Sequence, residues 1–331
     1  LVSSDPTDPF TALNILPFIN QTVMKKILIT TSSFGQAGAG PIQMLEHAGI
    51  VFDLNPHKRK LTEDEAIELL SQNSYQGMIA GVEPLTRKVL ESAPSLRVIS
   101  RCGTGIDNVD LVAAAELGIT VTTTCNAHVN AVAELTLAGA LAVLRHISVS
   151  DQGIRRGEWP RRIGALLYGK TVGLIGFGRV GQEAARLFKA FKADVLVVDV
   201  KLENAVAEQA GVSVVTIEEL LRSSDIVSLH VPYTPSTHRL LDRARLDSLK
   251  DNAILINTSR GGLIDEGALY LALQEGRIGG AYLDVFEMEP YSGALAELDN
   301  IVLTPHIGSF AVEARVMMEH EAVENALANM P

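Results

Sequence analysis

Three short stretches of the chain each end an apolar run on residues able to hold or move charge. "ILINTSRGGLIDE" carries Arg260, "YLDVFEMEP" carries Asp284, Glu287 and Glu289, and "VLTPHIGS" carries His306. A guanidinium suits a planar carboxylate, because its fork donates two parallel N–H groups, and it polarises a carbonyl beside it. A histidine moves a proton near neutral pH, and a carboxylate next to it keeps it oriented and more basic. The trio suits hydride chemistry at a carbinol carbon or its carbonyl, next to a carboxylate. Spacing alone leaves open which acidic residue serves the histidine.

A carrier for the hydride has its own signature upstream. "VGLIGFGRVGQEAARLF", residues 172–188, runs from buried apolar residues through Gly176, Gly178 and Gly181 into an amphipathic run. This is G-x-G-x-x-G between a strand and a helix, the context that gives the pattern meaning. Gly176 permits the tight turn, Gly178 lets backbone N–H groups approach a pyrophosphate, and Gly181 lets helix and strand pack closely. The helix N-terminus adds partial positive charge for the phosphates. Asp199 ends the next strand, 18 residues after Gly181. A carboxylate there takes the ribose hydroxyls and repels a 2′-phosphate, so the predicted cofactor is NAD in preference to NADP.

The elements that must position these residues alternate along the whole chain. "KILIT", "IVFDL", "GMIAG", "LRVIS" and "ITVTTT" read as strands separated by helices. Thr62 and Glu65 sit at capping-box spacing at the start of "TEDEAIELLSQ". A second series, "TVGLIGF", "ADVLVVDV", "DIVSLHV", "AILINTS", "GGAYLDV" and "NIVLTPH", supplies six more strands, most of them apolar on both faces. Such alternation predicts two doubly wound parallel sheets covered by helices. Between the series, residues 126–146 form an Ala/Leu-rich helix that must be buried against another domain or subunit. An Arg-rich loop around Trp159 follows it. The last stretch, from Ser309, reads as a helix crossing back to the first unit. Residues 1–23 hold three prolines and little periodicity, and are expected to lie outside the fold.

Composition narrows the class. The 331 residues are 47% hydrophobic and 20% charged, which excludes a disordered or fibrous protein. A net charge of −11 makes nucleic acid an unsuitable partner. Cys102 and Cys125 are too few for a disulfide framework and lack metal-ligand spacing, so they read as two buried thiols in a reducing compartment. No metal site is expected. No apolar run reaches the roughly twenty residues that span a bilayer, and no signal peptide is evident, so the reading is cytoplasmic.

With these motifs in order, "SRCGTGIDNVDL", "GLIGFGRVG", "INTSRGGLIDEGAL", "DVFEMEP" and "TPHIGS", the sequence resembles the D-isomer-specific 2-hydroxyacid dehydrogenases. The likeness runs from Met24 to the C-terminus and is closest to the phosphoglycerate dehydrogenase branch. It implies a Rossmann NAD-binding domain, residues 126–306, inserted into a smaller flavodoxin-like substrate domain, residues 24–125 and 307–331. It implies a catalytic triad of Arg260, Glu289 and His306, with His306 as acid/base, and so selects Glu289 over Glu287. By the same matching, Asp284 and the Thr258–Ser259 backbone hold the nicotinamide amide, and Arg179 and Val180 meet the pyrophosphate. Thr104, Val231, Pro232 and Gly308 line the cofactor. The Arg101–Gly105 loop, with Cys102 and Gly103, offers backbone N–H groups to the substrate carboxylate, with Asn108 nearby. The resemblance also implies a homodimer through the NAD domain, burying the helix Val129–His146.

The sequence departs from the phosphoglycerate branch where a phosphate-binding arginine belongs. That segment reads "AGVEPLT", with Glu83 in its place. The basic residues left to hold a phosphate are Arg101 and the cluster Arg155, Arg156, Arg161 and Arg162. The expected substrate is 3-phosphoglycerate/3-phosphohydroxypyruvate by a narrow margin, with glyoxylate or hydroxypyruvate the alternative. A different class, an NADH-sensing protein like the corepressors on this fold, is the second hypothesis.

Overall fold

The computed structural model describes residues 25–331; the N-terminal segment 1–23 lies outside the described residues. Five short strands form the first sheet: β1 (Lys26–Ile29), β2 (Val51–Leu54), β3 (Gly77–Ala80), β4 (Val98–Arg101) and β5 (Thr120–Thr123). They are all parallel, in the order β2-β1-β3-β4-β5. Central strands β3 and β4 are buried along their whole length. That is why they read as unbroken apolar runs without alternation.

Seven strands form the second sheet: β6 (Thr171–Ile175), β7 (Asp194–Val198), β8 (Ser213–Val214), β9 (Ile226–Leu229), β10 (Ile254–Asn257), β11 (Gly280–Leu283) and β12 (Ile301–Leu303). Their order is β12-β11-β10-β9-β6-β7-β8, again all parallel. The order reverses between β6 and β9, and a doubly wound sheet opens its ligand crevice at such a point. Strand β8 has two exposed residues at the sheet edge, too short for a sequence pattern to show. The fold is thus two parallel-sheet α/β units, the second a Rossmann fold.

Both sheets carry apolar clusters on each face. Helix Val312–Asn329 returns to the first sheet, where Met318, Ala322, Val323 and Ala326 pack with Ile27, Ile29 and Val98. Among the described residues, no single helix is long and apolar enough to cross a membrane.

The helix read over residues 126–146 runs from Val129 to Leu144 and stops there. His146 takes a left-handed backbone, φ 53°, and a new helix starts at Ile147. The apolar helix also needs no partner subunit to cover it. It lies on its own chain's sheet and against helix Arg179–Ala190, with Gly139 so close to Tyr282 that a Cβ would fall 2.0 Å from the ring. The capping box at Thr62 is formed: Glu65 N–H donates to the Thr62 hydroxyl at 3.3 Å and Thr62 N–H to the Glu65 carboxylate at 2.9 Å. Of the two thiols, Cys102 is buried and Cys125 only partly so.

Candidate active site

The glycine cradle, Asp199, Arg260, Asp284, Glu289 and His306 all follow the carboxyl ends of strands, because parallel strands present that end to one side. After β6, Gly176 has φ +101°, and a side chain there would meet the His230 carbonyl at 2.4 Å. Gly178 opens helix Arg179–Ala190 without a side-chain cap, and nothing lies within 4 Å of where its Cβ would be. Gly181 packs on the Gly176 carbonyl, where a Cβ would fall at 2.3 Å. The helix therefore ends in an open cradle with its first N–H groups free, which fits a pyrophosphate. Val231, which with Pro232 follows β9, has its side chain beside Gly176. Asp199 follows β7 and accepts from Phe177 N–H at 2.7 Å and from Lys201 N–H at 2.7 Å. Its carboxylate is thereby fixed at the cradle's rim. Arg179 turns toward the other sheet and donates to the Cys125 carbonyl at 3.3 Å.

His306 follows β12 with a left-handed backbone, φ 55°, a conformation rare outside glycine that surrounding contacts must hold. Those contacts come from Asp284, which follows β11 and is fully buried. Its carbonyl accepts from His306 N–H at 2.8 Å. Its carboxylate accepts from Ile307 N–H at 2.8 Å, from Gly308 N–H at 2.7 Å and from the Thr304 hydroxyl at 2.5 Å. Burial raises the Asp284 pKa above the usual carboxylate value, and these donors only partly offset it. The resemblance implies that Asp284 holds the nicotinamide amide; its carboxylate also clamps the His306 loop.

The carboxylate that meets the histidine is Glu289, whose Oε2 lies 2.8 Å from His306 Nδ1. Its Oε1 accepts from Phe286 N–H at 3.1 Å. Burial works to raise its pKa, but the His306 ring, the Phe286 amide and the Lys60 charge outweigh it and hold Glu289 low. Glu287 instead faces Arg239, at 3.6 Å. With Nδ1 engaged, Nε2 is the His306 nitrogen left for a substrate.

Arg260 follows β10, on a turn that Asn257 braces by donating to its carbonyl at 2.8 Å. Ser259 donates its hydroxyl to the Leu229 carbonyl at 2.7 Å, and the buried Thr258 hydroxyl lies 3.0 Å from that of Thr136. The guanidinium reaches across to the first sheet, where Asp107 binds it at 3.1 Å. Sequence reasoning missed Asp107. It lies inside the quoted "SRCGTGIDNVDL", but an acid beside a carboxylate-binding loop reads as repulsive until its partner is seen.

The loop after β4 divides differently from expectation. Arg101 is buried: its Nε donates to the Gly105 carbonyl at 3.0 Å and its Nη1 to the Ala80 carbonyl at 3.0 Å. Burial lowers its pKa, against the charge of Glu83. It braces the loop through Nε and Nη1, while Nη2, on the side of Gly103, has no partner among the described residues. Cys102 turns its thiol into the core beneath helix Val312–Asn329, where burial pushes its pKa up to about 11, and its N–H donates to Ala80. The N–H groups of Gly103, exposed Thr104 and Gly105 have no partner among the described residues, so the loop's free donors start at Gly103. Asn108 spends its amide N–H on the Glu83 carbonyl at 2.6 Å. Glu83 is itself buried, accepting from the Thr30 hydroxyl and from Gly81 N–H, so its carboxylate does not face the cleft as a barrier to phosphate.

The arginine cluster near Trp159 is also not part of this site. Arg155 pairs with Asp151, Arg156 with Glu158 and Arg162 with Asp299. Asp299 precedes β12, at the opposite end of the sheet from His306, and Arg161 is exposed in the same loop. A basic stretch passed over in the sequence lies nearer. Lys58, Arg59 and Lys60 follow β2, and Lys60 is close enough to Glu289 to lower its pKa. Arg59 is clamped by Glu65 at 2.6 Å, whereas Lys58 and Lys60 are exposed and pair with no carboxylate among the described residues.

The family model for the "D-isomer specific 2-hydroxyacid dehydrogenase, NAD binding domain" matches residues 137–308, the segment that carries the glycine cradle, Arg260, Glu289 and His306. The chain belongs to the D-isomer-specific 2-hydroxyacid dehydrogenases. This is a family of NAD-dependent enzymes, and NAD is the cofactor its nucleotide domain binds. The chain is 42% identical over 296 residues to the D-3-phosphoglycerate dehydrogenase of Methanocaldococcus jannaschii, which covers 88% of this chain but only 55% of that relative. It therefore spans about half the length of that protein. It is 41% identical over 256 residues to the glyoxylate reductase of Pyrococcus furiosus, covering 74% of this chain and 76% of the relative. Among solved structures, the TT0316 protein of Thermus thermophilus superposes with a TM-score of 0.81 at 38% identity, over 92% of this chain and 96% of that one.

Proposed function

We propose that the chain catalyses hydride transfer between NAD(H) and C2 of a 2-hydroxy or 2-keto acid. The observation that carries this is the His306–Glu289 pair, 2.8 Å apart, on a parallel sheet whose strand ends also carry Arg260 and the glycine cradle. Bound NAD(H) supplies or accepts the hydride; the chain's own residues do the rest. The N–H groups of Gly103–Gly105 and the Arg260 guanidinium take the substrate carboxylate, and Arg260 polarises the adjoining carbonyl. His306 gives a proton from Nε2 to the developing alkoxide, or takes it back in the other direction. Glu289 fixes the tautomer and stabilises the ring when it is charged. The first sheet with its returning helix serves as the substrate unit, and residues 126–306 as the nucleotide unit. The competing reading, a sensor that binds NADH without turnover, fails if purified protein oxidises NADH with any of a panel of 2-keto acids.

For the substrate we favour a phosphorylated three-carbon acid, 3-phosphoglycerate or its keto form. A phosphate carries nearly two negative charges and needs basic donors in the cleft. Lys58 and Lys60 support this reading better than the arginines, because both are exposed and pair with no carboxylate among the described residues, and Lys60 lies near Glu289. The test is kcat/KM for 3-phosphohydroxypyruvate against hydroxypyruvate, in the wild type and in a Lys58→Ala/Lys60→Ala variant. A preference for the phosphorylated acid that weakens with salt and disappears in the variant supports the reading. A preference of the wild type for hydroxypyruvate or glyoxylate, the chemistry named for the Pyrococcus relative, replaces it.

The partner we favour is a second copy of the chain. Trp159, Ile163, Leu166 and Tyr168, in one loop of the nucleotide unit, are 80%, 97%, 67% and 71% exposed, an apolar display uncommon on a monomer. A monomeric mass by light scattering, unchanged by Trp159→Ser, removes this proposal.

A further inference from the structure

Arg260 stands on the second sheet, yet its guanidinium is held by a loop of the first. Nε donates to Asp107 Oδ1 at 3.1 Å and to Oδ2 at 3.2 Å, and Nη2 donates to Oδ1 at 3.1 Å. Nη1 donates to the Ser259 carbonyl at 2.7 Å. A guanidinium has five N–H donors in a fixed plane. Asp107 takes the side edge, Nε and one hydrogen of Nη2, and Ser259 takes one hydrogen of Nη1. What remains is one N–H on each terminal nitrogen, which together make the end-on fork that matches a carboxylate.

We propose that Asp107 is a positioning residue, gripping Arg260 side-on so that its end-on fork faces the substrate carboxylate. This rests on the dehydrogenase reading above. The loop backbone comes close to the guanidinium, since a Cβ on Gly105 would fall 1.6 Å from Arg260 Nη2, so only glycine leaves the space that Arg260 fills. Asp107 is held as the anion: burial works to raise its pKa, but the charge and hydrogen bonds of Arg260 outweigh it, with help from Arg101. The pair joins residues 153 positions apart on two different sheets. Arg260 is therefore aimed by a contact between loops of two different sheets.

The rival meaning of the same contact is competition, in which Asp107 fills the place of the substrate carboxylate and must be displaced. The two meanings differ in sign. Removing a positioning residue lowers kcat/KM, whereas removing a competitor lowers KM and leaves kcat unchanged. The experiment uses the full chain with NADH and a panel of 2-keto acids, comparing wild type, Asp107→Ala, Asp107→Asn, Arg260→Ala and the Asp107→Ala/Arg260→Ala double variant. NADH affinity is measured in parallel by fluorescence. We expect Asp107→Ala to lower kcat/KM about 100-fold, the scale on which a misplaced binding group costs rate. Asp107→Asn keeps the shape and one acceptor without the charge, and should lose about tenfold. NADH affinity should not move in either. In the Arg260→Ala background, adding Asp107→Ala should cost less than about threefold, since the two act as one unit. A fall in KM at constant kcat, an unchanged kcat/KM in both single Asp107 variants, or loss of NADH binding in both overturns the proposal. Near-wild-type turnover by Arg260→Ala instead overturns the reading on which it rests.

Discussion

Glu289→Gln tests the proton-transfer machinery with the least disturbance. Glutamine keeps the length of the side chain and an oxygen for the Phe286 N–H, 3.1 Å away, but places a neutral amide where a carboxylate met His306 Nδ1 at 2.8 Å. A hydrogen bond to a charged group is worth about 1.5–3 kcal/mol and a neutral one about 0.5–1.5 kcal/mol, so the loss is about 1–1.5 kcal/mol. Both groups are partly exposed, which discounts the figure toward its lower end. At about 1.4 kcal/mol per factor of ten, kcat/KM should fall at least fivefold to tenfold. The amide NH₂ facing Nδ1 can only donate, so it also opposes the doubly protonated ring that acts as the acid, which deepens the loss. Glu289→Ala, with nothing to orient the ring, should fall about 100-fold or more. The assay is steady-state NADH oxidation with several 2-keto acids, with NADH affinity as the control that should not move. Glu287→Gln is the internal comparison, because Glu287 faces Arg239 and not His306. If Glu289→Gln stays within twofold of wild type, or if Glu287→Gln loses as much, the assignment of the carboxylate is wrong.

Asp199, fixed at the rim of the glycine cradle, should give a preference for NAD over NADP of at least about tenfold in kcat/KM, by repelling a 2′-phosphate. Asp199→Ala should shrink that preference mainly through weaker NAD binding, and a wild type that uses NADP better contradicts the role. Stability should depend on pH through His230, whose Nδ1 is buried without a partner and whose Nε2 lies 2.9 Å from the Ser228 hydroxyl. Burial lowers its pKa from 6.5 to about 4, so the unfolded chain takes a proton where the native one does not. Stability from this group is therefore full above pH 6.5 and lost progressively as the pH falls toward about 4. His230→Gln should flatten the decline of Tm over that window, and a decline as steep as in the wild type would remove His230 as its source.

The parts of the fold legible in the sequence are those written in local pattern. The apolar runs of β1–β7 and β9–β12, the Thr62 capping box and the strand–glycine–helix passage at Gly176 each depend on neighbours within a few residues. Arg260 and His306 are visible because they follow such runs closely, whereas Glu289 is separated from Glu287 only by the family resemblance. Contacts between distant residues were not visible. Asp107 meets Arg260 only because the loops of two sheets face each other, 153 positions apart. Arg101 ends a strand buried on both faces, where no alternation tells which way a side chain turns, so its inward direction could not be read. The break at His146 depends on one left-handed residue that is not glycine. The burial of the helix before it depends on a close fit at Gly139 to Tyr282, whose register follows from the folded sheet.

The central claim is that His306 moves the proton while the cradle holds the cofactor independently. The most direct measurement is NADH oxidation at saturating 2-keto acid by wild type and His306→Gln, with NADH affinity determined on the same preparations. We expect turnover to fall by about 10²–10⁴, the usual scale for a general acid, with NADH affinity within a few-fold of wild type. Turnover near the wild-type rate, or loss of NADH binding together with activity, would contradict it.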